Sequence, residues 1–177
     1  TIRWGAHFPR HHPSDFRVRS LDGVAVDWPL TYDDLVPYYD LNDRMMGVSG
    51  LAGDPMYPPK QPPLPPLPIG LVGETMARGD NKLGWHWWPS DSAIISQPYE
   101  GRDKCLNLGP CMSGCAQGGK SSTDITYWPQ AIRSGIELRT RCRVREITLN
   151  SHGMADGVIY YDEDGQERFQ KAEVVIM

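Results

Sequence analysis

Cys105, Cys111 and Cys115 fall within one eleven-residue stretch, Cys105-Leu-Asn-Leu-Gly-Pro-Cys111-Met-Ser-Gly-Cys115. Gly109, Pro110 and Gly114 lie between them, and such residues let a backbone curl instead of extending, so the three thiols could converge from one loop on a single metal centre. Structural zinc normally takes four ligands, whereas iron-sulfur clusters are held by closely spaced thiolates and carry electrons, so three sulfurs without a nearby fourth suit redox chemistry better. Spacing alone leaves other outcomes open. Cys142, far down the chain, could pair with one of the three in a disulfide or complete a zinc site after folding, or the thiols could simply be buried.

A second motif overlaps the first. Gly114-Cys-Ala-Gln-Gly-Gly119-Lys120-Ser121 matches Gly-x4-Gly-Lys-Ser, the phosphate-binding loop in which backbone amides cradle phosphates, the lysine reaches the terminal phosphates and the serine holds magnesium. That chemistry needs a buried strand before the loop and a helix after it. Residues Leu106 to Met112 contain no β-branched apolar run, and Ser121-Ser-Thr-Asp-Ile-Thr is poor in helix formers, so the letters match without the elements that would position them. A nucleotide-binding protein is therefore the alternative reading, and a structural zinc module the third.

The composition of these 177 residues, 40% hydrophobic and 10% aromatic, is ordinary for a globular protein. Sixteen prolines and eighteen glycines, concentrated in the first two thirds, predict long ordered loops there. A net charge of -4 without clustered Lys and Arg argues against a nucleic-acid partner. No apolar run approaches a membrane span, and no charged-then-apolar leader opens the chain. The chain begins at Thr1, and Ala-Glu-Val-Val-Ile-Met177 reads as a buried strand that lacks following partners, so an internal fragment of a larger protein is expected.

Along the chain, Phe16 to Val26 reads as a hairpin turning at Asp22-Gly23. Thr31 can cap a short turn, and Pro37 suits the first position of a helix that runs to about Met46 and stops at Gly47. Pro55 to Pro68 holds eight prolines and must be extended; Leu64, Leu67 and Ile69 suggest a strap packed on the protein's own surface. A helix from about Leu71 to Arg78 follows, then Gly84-Trp-His86-Trp-Trp-Pro, which could line a pocket or bury as a core cluster. After the cysteine loop the pattern is α/β: a helix from Tyr127 to Ser134 ended by Gly135, a strand beginning at Glu137-Leu-Arg-Thr, and strands at Val144 to Leu149, Gly157 to Tyr161 and Arg168 to Met177. That order suits part of a dinucleotide-binding, Rossmann-like domain.

Several long motifs together carry a resemblance: Trp4-Gly5, Asp27-Trp-Pro-Leu-Thr-Tyr-Asp-Asp-Leu-Val-Pro-Tyr-Tyr-Asp40, Gly47-Val-Ser-Gly50, Ser96-Gln-Pro-Tyr-Glu-Gly-Arg102, the cysteine loop and Gly119-Lys-Ser-Ser-Thr-Asp124. The chain resembles the glucose-methanol-choline (GMC) oxidoreductases over nearly its whole length, most of all the bacterial branch with the flavin subunits of gluconate, fructose and glucose dehydrogenases. The resemblance implies FAD, and hydride transfer from a carbinol carbon of a sugar or alcohol substrate to the flavin. A histidine in another part of the family's chain takes the hydroxyl proton. Neither its segment nor the family's opening Gly-x-Gly-x-x-Gly occurs in these residues, and none of His7, His11, His12, His86 or His152 matches it, so no catalytic residue is assigned and the chain alone is expected to be inactive.

By the same resemblance Trp4, Gly5 and Ala6 lie along the flavin, with Trp4 where many members have asparagine, and the backbone at Val144 meets the adenine ring. Cys105, Cys111 and Cys115 match cysteines that bind a three-iron four-sulfur cluster passing electrons to a cytochrome c subunit, in enzymes that also carry a small subunit. Leu106 stands where many relatives have a further cysteine, so a disulfide found in them is absent. The implied organisation is a flavin-contact segment of the FAD domain at 1–12, a proline-rich, loop-rich insertion with the cysteine cluster at 13–117, and a partial FAD-binding α/β domain with a β-meander at 118–177. The implied location is periplasmic, on a membrane through a partner.

Overall fold

A computed structural model describes residues 4–177. The expected flavin contacts of Thr1 to Arg3 lie outside the described residues. By packing the chain forms two compact units, Thr1–Gln130 and Ala131–Met177.

In the first unit the expected hairpin is replaced by helix. A 3-10 turn at Pro13–Arg17 runs into α1 (Val18–Asp22), and Gly23, at φ 74°, ends it. Pro13 is set for a first helical turn and the Asp15 carboxylate accepts from the His12 N–H at 2.7 Å, so local capping nucleates a helix. Phe16 is then buried against the edge of Trp28, with ring centroids 6.3 Å apart. The left-handed glycine serves as a helix cap here, a conformation it shares with hairpin turns, which is why Asp22-Gly23 misled.

Helix α2 (Tyr32–Met46) begins five residues earlier than Pro37. Thr31 and Asp34 form a capping box: the Asp34 N–H donates to Thr31 Oγ1 at 3.4 Å and the Thr31 N–H to Asp34 Oδ2 at 2.8 Å. That box starts the helix, and Pro37 is carried within it at an exposed position. Gly47 closes α2 at φ 67°. A β-carbon there would stand 2.9 Å from Ile95 Cγ2 and from the Arg102 guanidinium, so both backbone and space require glycine. Thr31→Ala is expected to lower stability by about 1 kcal/mol, read as a fall in melting temperature. The Thr31 N–H and then its hydroxyl hold the Asp34 carboxyl below the ordinary carboxylate value. The cap's contribution is therefore complete above the unfolded-state carboxylate pKa and lost as pH falls through the lower folded value, and the variant's deficit should shrink under acid.

Helix α3 (Gly70–Leu83) is longer than expected and ends at Gly84. Between the helices the proline strap pairs with the body: the Leu64 N–H donates to Val48 O at 3.2 Å, the Gly50 N–H to Leu64 O at 3.1 Å, and Leu64 is buried.

The centre of this unit is a meeting of short segments, each too short for a strand. Residues 91–95 form the axis. Ser49 and Ser92 exchange backbone bonds at 2.8 and 2.9 Å, the Ala93 N–H donates to Ala6 O at 2.8 Å, and the Phe8 N–H to Asp91 O at 2.9 Å. On the other side the Ile95 N–H donates to Gly119 O, the Ser121 N–H to Ala93 O and the Cys105 N–H to Ile95 O, at 2.8 to 2.9 Å. Ala6, Met46, Val48, Ala93 and Ile94 pack as the core, with Trp4, Phe8, Leu67, Cys105, Cys111 and Tyr127 against it. Backbone hydrogen bonds and apolar burial together hold the loops without regular structure.

Helix α4 (Tyr127–Arg133) leads into the second unit, an antiparallel meander of β1 (Arg143–Leu149), β2 (Ala155–Tyr161) and β3 (Glu167–Lys171) in the order β1-β2-β3. Arg145 bulges between the Val144–Tyr160 and Glu146–Ile159 pairs. Asp162 and Gly165 make the β2–β3 turn, and Phe169 lies over Gly157, where a β-carbon would come within 2.6 Å of its ring. The strand expected at Glu137 to Thr140 is absent. Among the described residues nothing pairs with it; instead Arg139 bonds Glu137 at 2.6 Å, the Tyr160 hydroxyl at 3.1 Å and Gln170 at 2.8 Å. Residues 172–177, expected as a buried strand, likewise have no strand partner beyond β3, and Ile176 is 92% exposed. The molecule is a mixed α/β protein, with an antiparallel meander as its sheet.

Candidate functional site

The segment from Trp4 to Phe8 enters the core of the first unit. Trp4 packs on Phe8 with ring centroids 5.8 Å apart, and Ala6 has no exposed surface. Ala6 adopts φ 68°, a left-handed conformation that costs a non-glycine residue about 1 kcal/mol or more. Its carbonyl accepts from Ala93, yet among the described residues no acceptor meets the Ala6 N–H, nor that of Gly5. Trp4 is half-buried and Gly5 exposed, so these two residues, and not the enclosed Ala6, present surface that a ligand could meet. Gly5 lies close under the cysteine loop, where a β-carbon would be 3.0 Å from Met112 Sδ.

Lys120 joins the two segments. It is 3% exposed, and its ammonium donates to Trp4 O at 2.8 Å and to Cys111 O at 2.7 Å. Beside it the Arg102 guanidinium donates to Ser121 Oγ at 2.7 Å and to Met46 O at 3.2 Å. Among the described residues neither cation has a carboxylate within ion-pair distance. Burial holds Arg102 below its ordinary pKa, partly offset by Tyr99 and Glu100.

The phosphate-loop letters are thus spent on the protein itself. Gly119 lets the chain pass the Cys105 backbone, where a β-carbon would sit 3.2 Å from Cys105 Cα. The amides of the same turn surround the Cys115 sulfur, the Lys120 N–H at 3.4 Å. Burial pushes the Cys115 thiol up, but the N–H groups of Lys120, Gln117, Gly119 and Gly118 outweigh it and leave the thiol below its usual value. No strand precedes this loop, no helix starts directly after it, and its lysine is bound to backbone carbonyls. Burial and its two carbonyl acceptors make Lys120 a positioning group.

Cys105, Cys111, Cys115 and Cys142 are all free and half-buried. Among the described residues no three His, Cys, Asp or Glu side chains stand as a group able to hold a metal ion, so the cysteine loop does not gather its sulfurs into a ligand set. Val144 belongs to the second unit, on β1 opposite Tyr160, with its side chain 57% exposed.

The family model for GMC oxidoreductase matches residues 70–177. The chain belongs to the GMC oxidoreductases. Members of this family bind FAD. Along its full length the chain is 40% identical to the 2-methyl-1,2-propanediol dehydrogenase of Mycolicibacterium austroafricanum, covering 33% of that protein. It is 29% identical to the fructose dehydrogenase large subunit of Gluconobacter japonicus, covering 100% of the chain and 33% of the relative. To the gluconate 2-dehydrogenase flavoprotein of Pantoea cypripedii it is 28% identical, with 99% of the chain and 34% of the relative covered. The chain spans about a third of the length of these curated relatives.

Within this GMC chain, sequence reasoning named Trp4 to Ala6 and the three cysteines but not what links them. Arg102 and Lys120 both lay in motifs quoted for their family likeness, and Lys120 also in the phosphate-loop letters. Their role lies in bonds to carbonyls and a hydroxyl far away in the sequence, which become visible only in the folded chain.

Proposed function

We propose that this chain frames the cofactor of an FAD-dependent dehydrogenase acting on CH–OH groups of an alcohol, diol or sugar. The observation that carries the reading is the family match together with the Trp4–Ala6 strip, anchored in the core at Ala6 and tied through Lys120 to the cysteine loop. Bound FAD supplies a two-electron hydride acceptor. This chain's own groups bind and orient: Gly5 offers a peptide donor, Trp4 adds an apolar wall, Ala6 anchors the strip in the core and Lys120 holds it in place. By the family resemblance the backbone at Val144, on β1 of the meander, meets the adenine side. The similarity to dehydrogenases named for a small diol, for fructose and for gluconate supports a hydroxylated substrate.

The finer part of the proposal is a three-iron four-sulfur cluster that Cys105, Cys111 and Cys115 would hold and that would pass single electrons to a cytochrome-type subunit, with a small subunit also present, in a periplasmic enzyme held to a membrane by its partner. Cysteine spacing and the family resemblance support it, while the separated thiols do not fit a cluster as they stand. One purification tests both levels. Flavin absorbance, with iron and sulfide content, should be measured on the protein carrying this chain. About one FAD per chain is expected; no flavin, and no gain on adding FAD, would sink the dehydrogenase reading. Bound flavin without iron or sulfide would remove only the cluster.

A further inference from the structure

The first unit holds a cavity of about 210 Å³ at which the proline strap, the tryptophan motif and the start of the axis meet. Its walls include Asp54, Tyr57, Lys60, Trp88, Ser90 and Asp91. We propose that it binds a neutral polyhydroxylated molecule, between a small diol and a single hexose in size, and is the substrate-recognition pocket of the dehydrogenase.

Lys60 and Asp91 form an ion pair with each side chain only 9% exposed. The Asp91 carboxylate reaches this position because Gly50 has no β-carbon, which would otherwise collide with it. Lys60 also stands 5.3 Å from the Tyr57 ring centroid. Across the cavity, Trp88 is oriented by its indole N–H, which donates to Leu51 O at 2.9 Å, and by stacking on His86 at 6.2 Å. His86 in turn stands 2.9 Å from Asp54.

Each charge therefore has a partner, which removes the demand for an ionic ligand but leaves hydrogen-bonding capacity over. The ammonium keeps two donors, the carboxylates keep lone pairs, and the Tyr57 hydroxyl can both give and accept. Donors and acceptors alternating at close quarters suit hydroxyl groups, which are both at once. The Trp88 face offers an apolar surface for the C–H side of such a ligand. At ~30 Å³ per water the cavity holds the volume of roughly seven waters, a small ligand's worth. A sugar acid would meet two carboxylates, and a phosphate would find Lys60 already paired.

The inference rests on the dehydrogenase reading only in calling the ligand a substrate. The test is titration of the flavin-loaded protein with 1,2-propanediol, glycerol, fructose and gluconate, followed by tryptophan fluorescence and calorimetry. At least one neutral polyol should bind saturably, and gluconate at least about tenfold more weakly, the size of one lost hydrogen bond or a like-charge contact. Tyr57→Phe removes one hydroxyl and keeps the ring, so its melting temperature should be unchanged while affinity falls about tenfold. Trp88→Leu should abolish binding, and Trp85→Leu, at an exposed ring outside this cavity, should leave it unchanged. No saturable neutral polyol, gluconate binding as tightly, or wild-type affinity in both Tyr57→Phe and Trp88→Leu would overturn the proposal. Polyol binding weakened in these variants, with no flavin reduction by polyol, would keep the pocket and discard the dehydrogenase. Flavin reduction with unaltered KM in both would do the reverse.

Discussion

Replacing Arg10 with leucine is expected to cost the fold about 3–5 kcal/mol, enough to unfold most of the protein at mild denaturant. The Arg10 side chain is 3% exposed and its guanidinium contacts Asp43 at 2.5 Å and Asp40 at 2.7 Å. It also lies 5.4 Å from the centroid of Tyr39. Burial works against the charge, but the bonds to Asp43 and then Asp40 outweigh it and hold the arginine above its ordinary pKa. Removing the cation strands the Asp43 carboxylate, which is 9% exposed, whereas Asp40, at 43%, can turn to water. The penalty is therefore chiefly the desolvation of Asp43, and the double variant Arg10→Leu with Asp43→Leu should recover most of it. Urea unfolding of both variants checks this; a double variant as unstable as the sum of the singles would show that the pair is not the cause.

Lys120→Met should lower stability by about 2–4 kcal/mol and weaken FAD binding by about tenfold or more. Two charge-assisted hydrogen bonds disappear, and the carbonyls of Trp4 and Cys111 are left buried without donors. Methionine fills the methylene volume, so the loss is polar and not a cavity. The flavin effect follows because the Trp4–Ala6 strip is released from the loop that holds it. A thermal melt and a flavin titration separate the two effects. A variant that melts earlier but binds FAD as well as the wild type would confine Lys120 to a structural role. Calorimetry with ATP and magnesium should give no saturable heat in the wild type, since the lysine is committed to carbonyls; tight binding lost in Lys120→Met would restore the phosphate-loop alternative.

Some features were legible from the residues alone because their causes are local. Thr31 as a cap and Gly47 after Met46 act within a few residues, and both stand where the sequence put them. Alternation over Val144 to Leu149 and Gly157 to Tyr161 likewise marked strands. Local signals with two uses were misread: Asp22-Gly23 caps a helix, and Pro37 rides inside α2 because the capping box had already started it.

The long-range placements could not be read from spacing. Lys120 and Trp4 are 116 residues apart, Arg10 and Asp43 are 33, and which carbonyl or carboxylate a buried cation meets is decided by how the chain closes. The same closure brings Lys60 of the strap beside Asp91, and it gives the glycines of the phosphate-like loop a cysteine sulfur to enclose. Motif letters specify which groups a loop can offer. Only the tertiary structure determines what occupies them, because burial removes water as the competing partner and leaves each polar group to the neighbours the fold supplies.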